Sequence, residues 1–342
     1  MSYLKLLTAH REVNKLLTKL ALGMGKEELN RRVVDLSESW FGERRASILR
    51  LDSQHNTLHV EHAPSLPEFY NSAVDGVEIG PEVGSCGAAA YSKQSVVVDN
   101  IHQHPNWLSF SDLARQANLH ACWSVPILSS TQTAMGTFAI YSHEPAKPEE
   151  HELEVLQMLA SLYAVAWEKY ELEHQLHYHA RYDSLTGCLN RRALLQQASD
   201  CLNTELTYVA CFFADIDRFK QINDVYGHEV GDRVLAQVGE IFHHTFNRCS
   251  INGRYGGDEF VAFAFSDDKQ VFTQLGKQFI EQLATLTPAE DLQVRVSVGK
   301  AVSEVRRLIS LQQLIKQADQ KMYQAKHANR CDQDHGNSAA MR

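Results

Sequence analysis

Absences narrow this 342-residue sequence before any motif does. It has no apolar run near the roughly 20 residues that cross a bilayer. The first helix-like stretch, Tyr3 to Leu22, interleaves Lys5, Arg11, Glu12 and Lys15 with its leucines. It lacks the uninterrupted apolar core and small-residue cleavage site of a secretory signal. A soluble, cytoplasmic protein with no membrane span is expected. No long basic stretch occurs and the formal net charge is −9. Nucleic acid is thereby disfavoured as a partner, since a phosphate backbone calls for a basic stripe. A single nucleotide is not excluded, because a metal ion can neutralise it locally. The seven cysteines (Cys86, Cys122, Cys188, Cys201, Cys211, Cys249, Cys331) are odd in number and never form a C-x-x-C pair, the pattern of reduced thiols in a reducing compartment. G-x-x-x-x-G-K-[ST], H-E-x-x-H and G-x-S-x-G are all missing.

What is present falls into successive zones. The chain is long enough for two ordinary domains. Up to about Glu144, two helix patterns (Leu4 to Leu20, Leu29 to Trp40) precede short strands. Ala46–Asp52 and Thr57–Ala63 flank the polar turn Ser53–Asn56, and His120–Leu128 and Ala134–Ser142 flank Ser129–Thr133, so both pairs read as hairpins. Ser95–Asn100 is a further strand candidate. Pro145 and Pro148 then open a long helix, to about Arg181. Leu153, Leu156, Ala160, Tyr163, Trp167 and Tyr170 follow a 3-4 alternation. The stripe fits either a helix packed on its own domain or a dimerising stalk, and the stalk is preferred here because a bridging helix has few intramolecular partners. From Asp183 to about Arg330, strand and helix patterns alternate around one central sheet. Tyr208–Ala214 is a continuous apolar run typical of a central strand. Asp232–Phe246 and Ser310–His327 are helical, and Phe260–Phe265 and Val294–Val298 are strands. The polar tail after Cys331 is expected to fray.

Two acidic sites carry the chemistry. Asp215 falls where the apolar strand Tyr208–Ala214 stops, the position at which α/β folds place ligands. Arg254-Tyr255-Gly256-Gly257-Asp258-Glu259-Phe260 is the second site. There the glycine pair suits a tight turn and close approach to a ligand, with the acids at its rim. Two acidic rims side by side repel unless a cation lies between them, and hard cations such as Mg²⁺ prefer carboxylate and phosphate oxygens.

These residues resemble the GGDEF family of diguanylate cyclases from Asp183 to about Arg330. The blocks are Asp183-Ser-Leu-Thr-Gly-Cys-Leu-Asn-Arg-Arg192, Asp215–Asp224, Gly227-His228-Glu-Val-Gly231-Asp232, Gly256–Phe260, Ser297-Val-Gly299 and Ala318-Asp319 through Arg330. The resemblance implies two GTP condensed into cyclic di-GMP and two pyrophosphates, the 3′-hydroxyl of one attacking the α-phosphorus of the other in a homodimer. It implies Mg²⁺, for which Mn²⁺ can substitute, on Asp215, Asp258 and the Ile216 carbonyl. Asn223 and Asp232 would read the guanine edge, with His228 helping to hold that pocket. Lys326 and Arg330, four apart on one helical face, would pin the terminal phosphates, assisted by Lys220. Glu259 or Asp258 would serve as base. The alternative from another class is a catalytically inactive GGDEF effector that only binds nucleotide. Many family members carry an R-x-x-D product site just before the signature. Here Asn247 and Ser250 stand at its ends, with Arg248 out of register, so weak or absent product inhibition is expected.

The first zone resembles a GAF domain, through Val83-Gly84-Ser85-Cys86-Gly87-Ala-Ala-Ala-Tyr91, Val96–Ile101, Cys122-Trp123-Ser124-Val-Pro126-Ile127 and Gly136-Thr-Phe138-Ala. GAF domains bind small molecules, gases or nothing, and the sequence names no ligand. Cys86 and Cys122 read as small residues packed beneath a pocket. The expected architecture is therefore an α+β two-domain protein: a GAF antiparallel sheet with flanking helices over 1–147, a helical linker over 148–181, a nucleotide-cyclase-like central sheet with flanking helices over 182–332, and a tail over 333–342.

Overall fold

Largely apolar strands in the first zone form an antiparallel sheet that is covered on both faces. In the computed structural model, all residues are described except 1, 43, 203–204, 247–249, 284–285, 287, 289–291, 309 and 340–342, and the side chains of 2–5 and 328–339 also lie outside the description. The chain divides into two units, Met1–Glu173 and His174–Arg342.

In the first unit, α1 (Ser2–Ala21) and α2 (Lys26–Phe41) lead into β1 (Arg45–Asp52) and β2 (Thr57–His62). Then follow α3 (Glu68–Val74), β3 (Val77–Glu78), α4 (Cys86–Ser92), β4 (Val96–Val98), α5 (Ser111–Gln116), β5 (Ala121–Leu128), β6 (Ala134–Ser142) and α6 (Glu150–Arg181). The sheet order is β3-β2-β1-β6-β5-β4, and every pairing is antiparallel. Both expected hairpins form. One face of the sheet packs on α1, α2 and the first half of α6 through Ile48, Trp123, Phe138, Leu156, Tyr163 and Trp167. The other face meets α3, α4 and the loops through Leu49, Tyr70, Cys86, Trp107, Cys122 and Tyr141.

The stripe on α6 behaves differently from the preferred stalk. Leu156, Ala160, Tyr163 and Trp167 are buried in the first unit's own core. The Tyr163 hydroxyl donates to Asn30 Oδ1 at 3.1 Å and the Tyr170 hydroxyl to the Met24 carbonyl at 2.8 Å. Gly136 admits the Trp167 ring, because a Cβ there would lie 2.9 Å from it and 2.1 Å from the Leu49 carbonyl oxygen. The 3-4 alternation thus reflects a helix lying on its own sheet, and the α1–α2 layer supplies the partners that a bridging helix would lack. Beyond Tyr170, residues 171–181 are exposed, Leu172 and Leu176 among them.

The second unit comprises β7 (Leu189–Asn190), α7 (Arg191–Cys201), β8 (Tyr208–Ile216), α8 (Phe219–Tyr226), α9 (His228–Thr245), β9 (Ser250–Gly256), β10 (Glu259–Ser266), α10 (Lys269–Leu283), β11 (Val296–Glu304) and α11 (Leu311–Ala339). Its sheet runs β11-β8-β10-β9-β7, antiparallel apart from β7 with β9. The continuous apolar run becomes β8, buried along most of its length because helices cover both of its faces: Phe212 shares a core with Phe242, Phe246 and Phe279, and Phe213 with Leu314, Ala318 and Met322. Helix α9 begins at His228 rather than Asp232, and β11 extends past Val298 to Glu304. The tail, expected to fray, continues α11 to Ala339.

Candidate active site

Strand register brings the two acidic segments together. Glu259 pairs directly with Asp215 across β10 and β8, and Ser297 pairs with Asp215 from β11. Directly opposed residues have Cβ atoms about 5 Å apart on one face of the sheet. The Asp258 carbonyl accepts the Ile216 backbone N–H at 3.3 Å, so Asp258 stands in the turn beside the end of β8. Asp217 accepts the Ser297 hydroxyl at 2.8 Å, and its N–H donates to the Arg295 carbonyl at 2.8 Å.

Crowding shifts these acids. Burial pushes Asp215 above the ordinary carboxylate range, with Asp258 and Asp217 adding to the rise and Lys326 opposing it. Burial likewise pushes Glu259 up, followed by the charges of Asp215, Asp258 and Asp319, while Arg191 opposes them. Both shifts have the same first cause, burial of a carboxylate, to which the neighbouring negative charges add. The Lys326 ammonium forms an ion pair with Asp215. Its placement follows from Gly299 on β11, where a Cβ would lie 2.0 Å from the Ala318 carbonyl oxygen and 2.2 Å from the Met322 nitrogen. Glycine lets α11 lie directly on β11, which carries Lys326 over the end of β8.

The turn between β9 and β10 is held from behind. Gly257 adopts φ +33°, and its carbonyl accepts from Arg254 Nε and a second guanidinium nitrogen at 2.9 and 2.7 Å. The remaining guanidinium nitrogen reaches both Asp183 carboxylate oxygens at 3.1 Å. Asp183 also accepts from the Thr186 backbone N–H (3.0 Å) and hydroxyl (2.8 Å). Burial pushes Asp183 up, but these bonds outweigh it, and its carboxyl sits below the ordinary range.

A second group of expected residues assembles where α8 meets α9. Asn223, near the end of α8, lies so close to Gly231 that a Cβ there would fall 1.8 Å from Asn223 Oδ1. Asp232 follows Gly231 and is exposed, as is His228 at the start of α9. Lys220 is exposed in the first turn of α8. The backbone of Arg330 lies on α11, four residues beyond Lys326; its side chain, and residues Asn247 and Arg248 of the expected product-site segment, lie outside the described residues.

Among the described residues, no three His, Cys, Asp or Glu side chains converge on one metal-sized point. The donor set nevertheless suits Mg²⁺, which is usually held by one or two carboxylates, with waters and substrate phosphate oxygens completing the octahedron. The half-buried, like-charged cluster around Asp215 favours a divalent cation on the same grounds. Reading from sequence passed over Arg254 and Asp183 as partners, because an ion pair spanning 71 residues leaves no local pattern. It also left Asp319 out of the site, although its spacing of seven from Lys326 puts both on one face of α11.

Comparisons with known proteins match both domains. Residues 180–332 match the family model described as "Diguanylate cyclase, GGDEF domain", and residues 24–168 match that of the GAF domain. Curated relatives include the methyl sulfide methyltransferase-associated sensor of Methanosarcina acetivorans, 32% identical over 155 residues, covering 45% of this chain and 16% of that protein. The cyclic di-GMP phosphodiesterase PdeB of Shewanella oneidensis is 32% identical over 172 residues, covering 49% of this chain and 20% of that protein. The diguanylate cyclase DgcP of Escherichia coli is 32% identical over 180 residues, covering 50% of this chain and 53% of that protein. In each case the chain spans well under two thirds of the relative's length. With both family models matched in order, the chain carries a GAF domain over residues 24–168 followed by a GGDEF domain over residues 180–332.

Proposed function

We propose that this protein is a diguanylate cyclase, joining two GTP molecules into cyclic di-GMP with release of two pyrophosphates. One observation carries the reading: Asp215 opposes Glu259 across paired strand ends, with Asp258 in the adjoining turn and the Lys326 ammonium on Asp215. A carboxylate cluster with a lysine at its edge suits a polyphosphate whose charge is shared between metal and ammonium.

Asp215, Asp258 and the Ile216 carbonyl would hold Mg²⁺ or Mn²⁺, which supplies charge neutralisation on the triphosphate when bound. Lys326 and Arg330 bind the terminal phosphates, and Lys220 approaches from the first turn of α8. Asn223 and Asp232 read the guanine edge: the carboxylate accepts from N1–H and the 2-amino group, which adenine cannot offer in that pattern. His228 borders that pocket. Glu259 or Asp258 accepts the proton of the attacking 3′-hydroxyl. Each catalytic domain presents one GTP, so two copies meet about a twofold axis. The GAF domain then regulates output by altering how the two copies meet.

Purified protein incubated with GTP and Mg²⁺ is expected to yield cyclic di-GMP. Asp215→Asn and Asp258→Ala should each lower the rate by about a thousandfold or more, with circular dichroism unchanged. GTP binding without product in the wild type would support the inactive effector instead, and activity surviving in both variants would overturn the ligand assignment.

A further inference from the structure

The GAF domain holds a pair of thiols that nothing in the cyclase reading uses. Cys86 lies in the first turn of α4, and Cys122 lies on β5 opposite Val98 and Tyr141. Cys86 packs on the face of β5 that carries Cys122, meeting Ser124 two residues further on and Tyr141, which pairs with Cys122, and both are free thiols. They differ in access. Cys86 lines a cavity of about 40 Å³ together with Leu49, Tyr70, Trp107 and Tyr141. Cys122 is fully buried and does not line it. A volume of that size takes roughly two or three water-sized atoms, which suits a very small polar molecule and not a nucleotide or an aromatic ring.

The surroundings of Cys86 are those of a reactive sulfur. The Ser124 hydroxyl donates to Cys86 Sγ at 3.5 Å, and the Tyr141 hydroxyl lies 3.7 Å away. With the Cys122 thiol as the largest contributor, these donors outweigh burial and draw the Cys86 thiol down to about 6. Burial pushes Cys122 well above the ordinary thiol range, and its bond to Cys86 adds to the rise. In two other buried thiols burial wins: it pushes Cys188 up to about 11 despite a bond with Thr186, and raises Cys211 as well. Thiolate character together with access distinguishes reactive cysteines from inert ones.

We propose that Cys86 and Cys122 form a dithiol switch, in which a small hydroperoxide entering the cavity oxidises Cys86 and Cys122 resolves it to a disulfide. The Cys86 thiolate attacks the distal peroxide oxygen. The O–O bond breaks, the alkoxide or hydroxide leaves and takes a proton, and Cys86 becomes a sulfenic acid. The Cys122 sulfur then attacks Cys86 Sγ, forming the S–S bond and releasing water. Overall, two thiols and one hydroperoxide give a disulfide, an alcohol or water, and one further water. The sulfurs lose two electrons and the peroxide gains them. Because the disulfide would tie α4 to the central strands of the sheet, oxidation changes the element that walls the cavity.

The test treats reduced full-length protein with one equivalent of hydrogen peroxide at neutral pH and maps its non-reduced peptides by mass spectrometry. The expected product has lost two hydrogen masses, carries a peptide joining Cys86 to Cys122, and reverts with dithiothreitol. Cys122→Ser should hold Cys86 as a sulfenic acid captured by dimedone, and Cys86→Ser should leave Cys122 unlabelled. Cumene hydroperoxide should react at least about tenfold more slowly, since a close-packed wall excludes its ring. A wild-type protein whose Cys86 stays a free thiol under peroxide, or whose disulfide joins other cysteines, overturns the proposal. So does dimedone labelling of Cys122 in place of Cys86, or equal rates with the two peroxides.

Discussion

In the GAF domain the polar groups of interest are thiols and hydroxyls that lie inside: Cys86, Cys122, Tyr141, Ser85 and Ser124 behind the sheet face. In the GGDEF domain they are charged and stand at the strand ends, with Asp215, Asp258 and Glu259 only partly buried. The difference follows from what each environment tolerates. A neutral hydroxyl or thiol can be buried once hydrogen-bonded, whereas clustered carboxylates need water, a cation or a lysine within reach. The first sheet accordingly backs a small cavity of about 40 Å³, and the second delivers side chains to an open rim. The same contrast holds for glycines. Gly136 lets an indole close the GAF core, while Gly299 lets α11 approach so that Lys326 reaches the rim, and Gly231 leaves room for Asn223 between α8 and α9.

If the two domains are distinct packing problems, damage to one core should stay there. Trp167→Ala removes a fully buried indole and is expected to cost about 3–5 kcal/mol. Amide hydrogen exchange should show lost protection in β1, β5 and β6, with β8 and β10 unchanged. Loss of protection in β8 would break the comparison. A smaller effect should come from Gly231→Ala. The new methyl must displace the Asn223 side chain, whose oxygen is the free end of a short chain, so the fold should survive while the proposed guanine pocket loses one proposed reader. We expect the KM for GTP to rise about tenfold, near 1.4 kcal/mol, with kcat within a factor of about three. Unchanged KM would remove Asn223 from substrate binding.

The smallest effect concerns Arg254. The Asp183 carboxyl sits below its ordinary value, so its contribution to stability is present above the unfolded carboxylate range and is lost as pH falls through the lowered folded value. Arg254→Gln removes one cause of that lowering, and the acid-unfolding midpoint of the GGDEF domain should move up by a few tenths of a pH unit. A midpoint that did not move would mean that the Thr186 bonds alone hold Asp183.

Much of this was legible in the order of residues. Hairpin turns at Ser53–Asn56 and Ser129–Thr133, the apolar run of β8 and the helical faces of α9 and α11 are local patterns with short-range causes. The acids at 215 and 258–259 were legible too, because polar residues directly after or before apolar strands mark strand ends. The α6 stripe was misread because periodicity reports that a face is covered and not what covers it. Here α1, α2 and the sheet cover it. Helix α10 and strand β9 went unread between better-defined neighbours. The Arg254–Asp183 clamp and the Cys86–Cys122 contact join residues 71 and 36 apart, and no local rule pairs them.

By itself, the sequence determined which segments become strands and helices, which residue types stand at their ends, and which family the blocks belong to. Those properties depend on neighbours a few positions away, through side-chain period and turn chemistry. Only the tertiary structure decided that Glu259 rather than Asp258 directly opposes Asp215, that Lys326 reaches that carboxylate, and that one of two touching thiols faces a cavity while the other is sealed. Those outcomes depend on strand register and on how closely backbones approach at Gly299, Gly231 and Gly136, and both are set by contacts between residues remote in the chain.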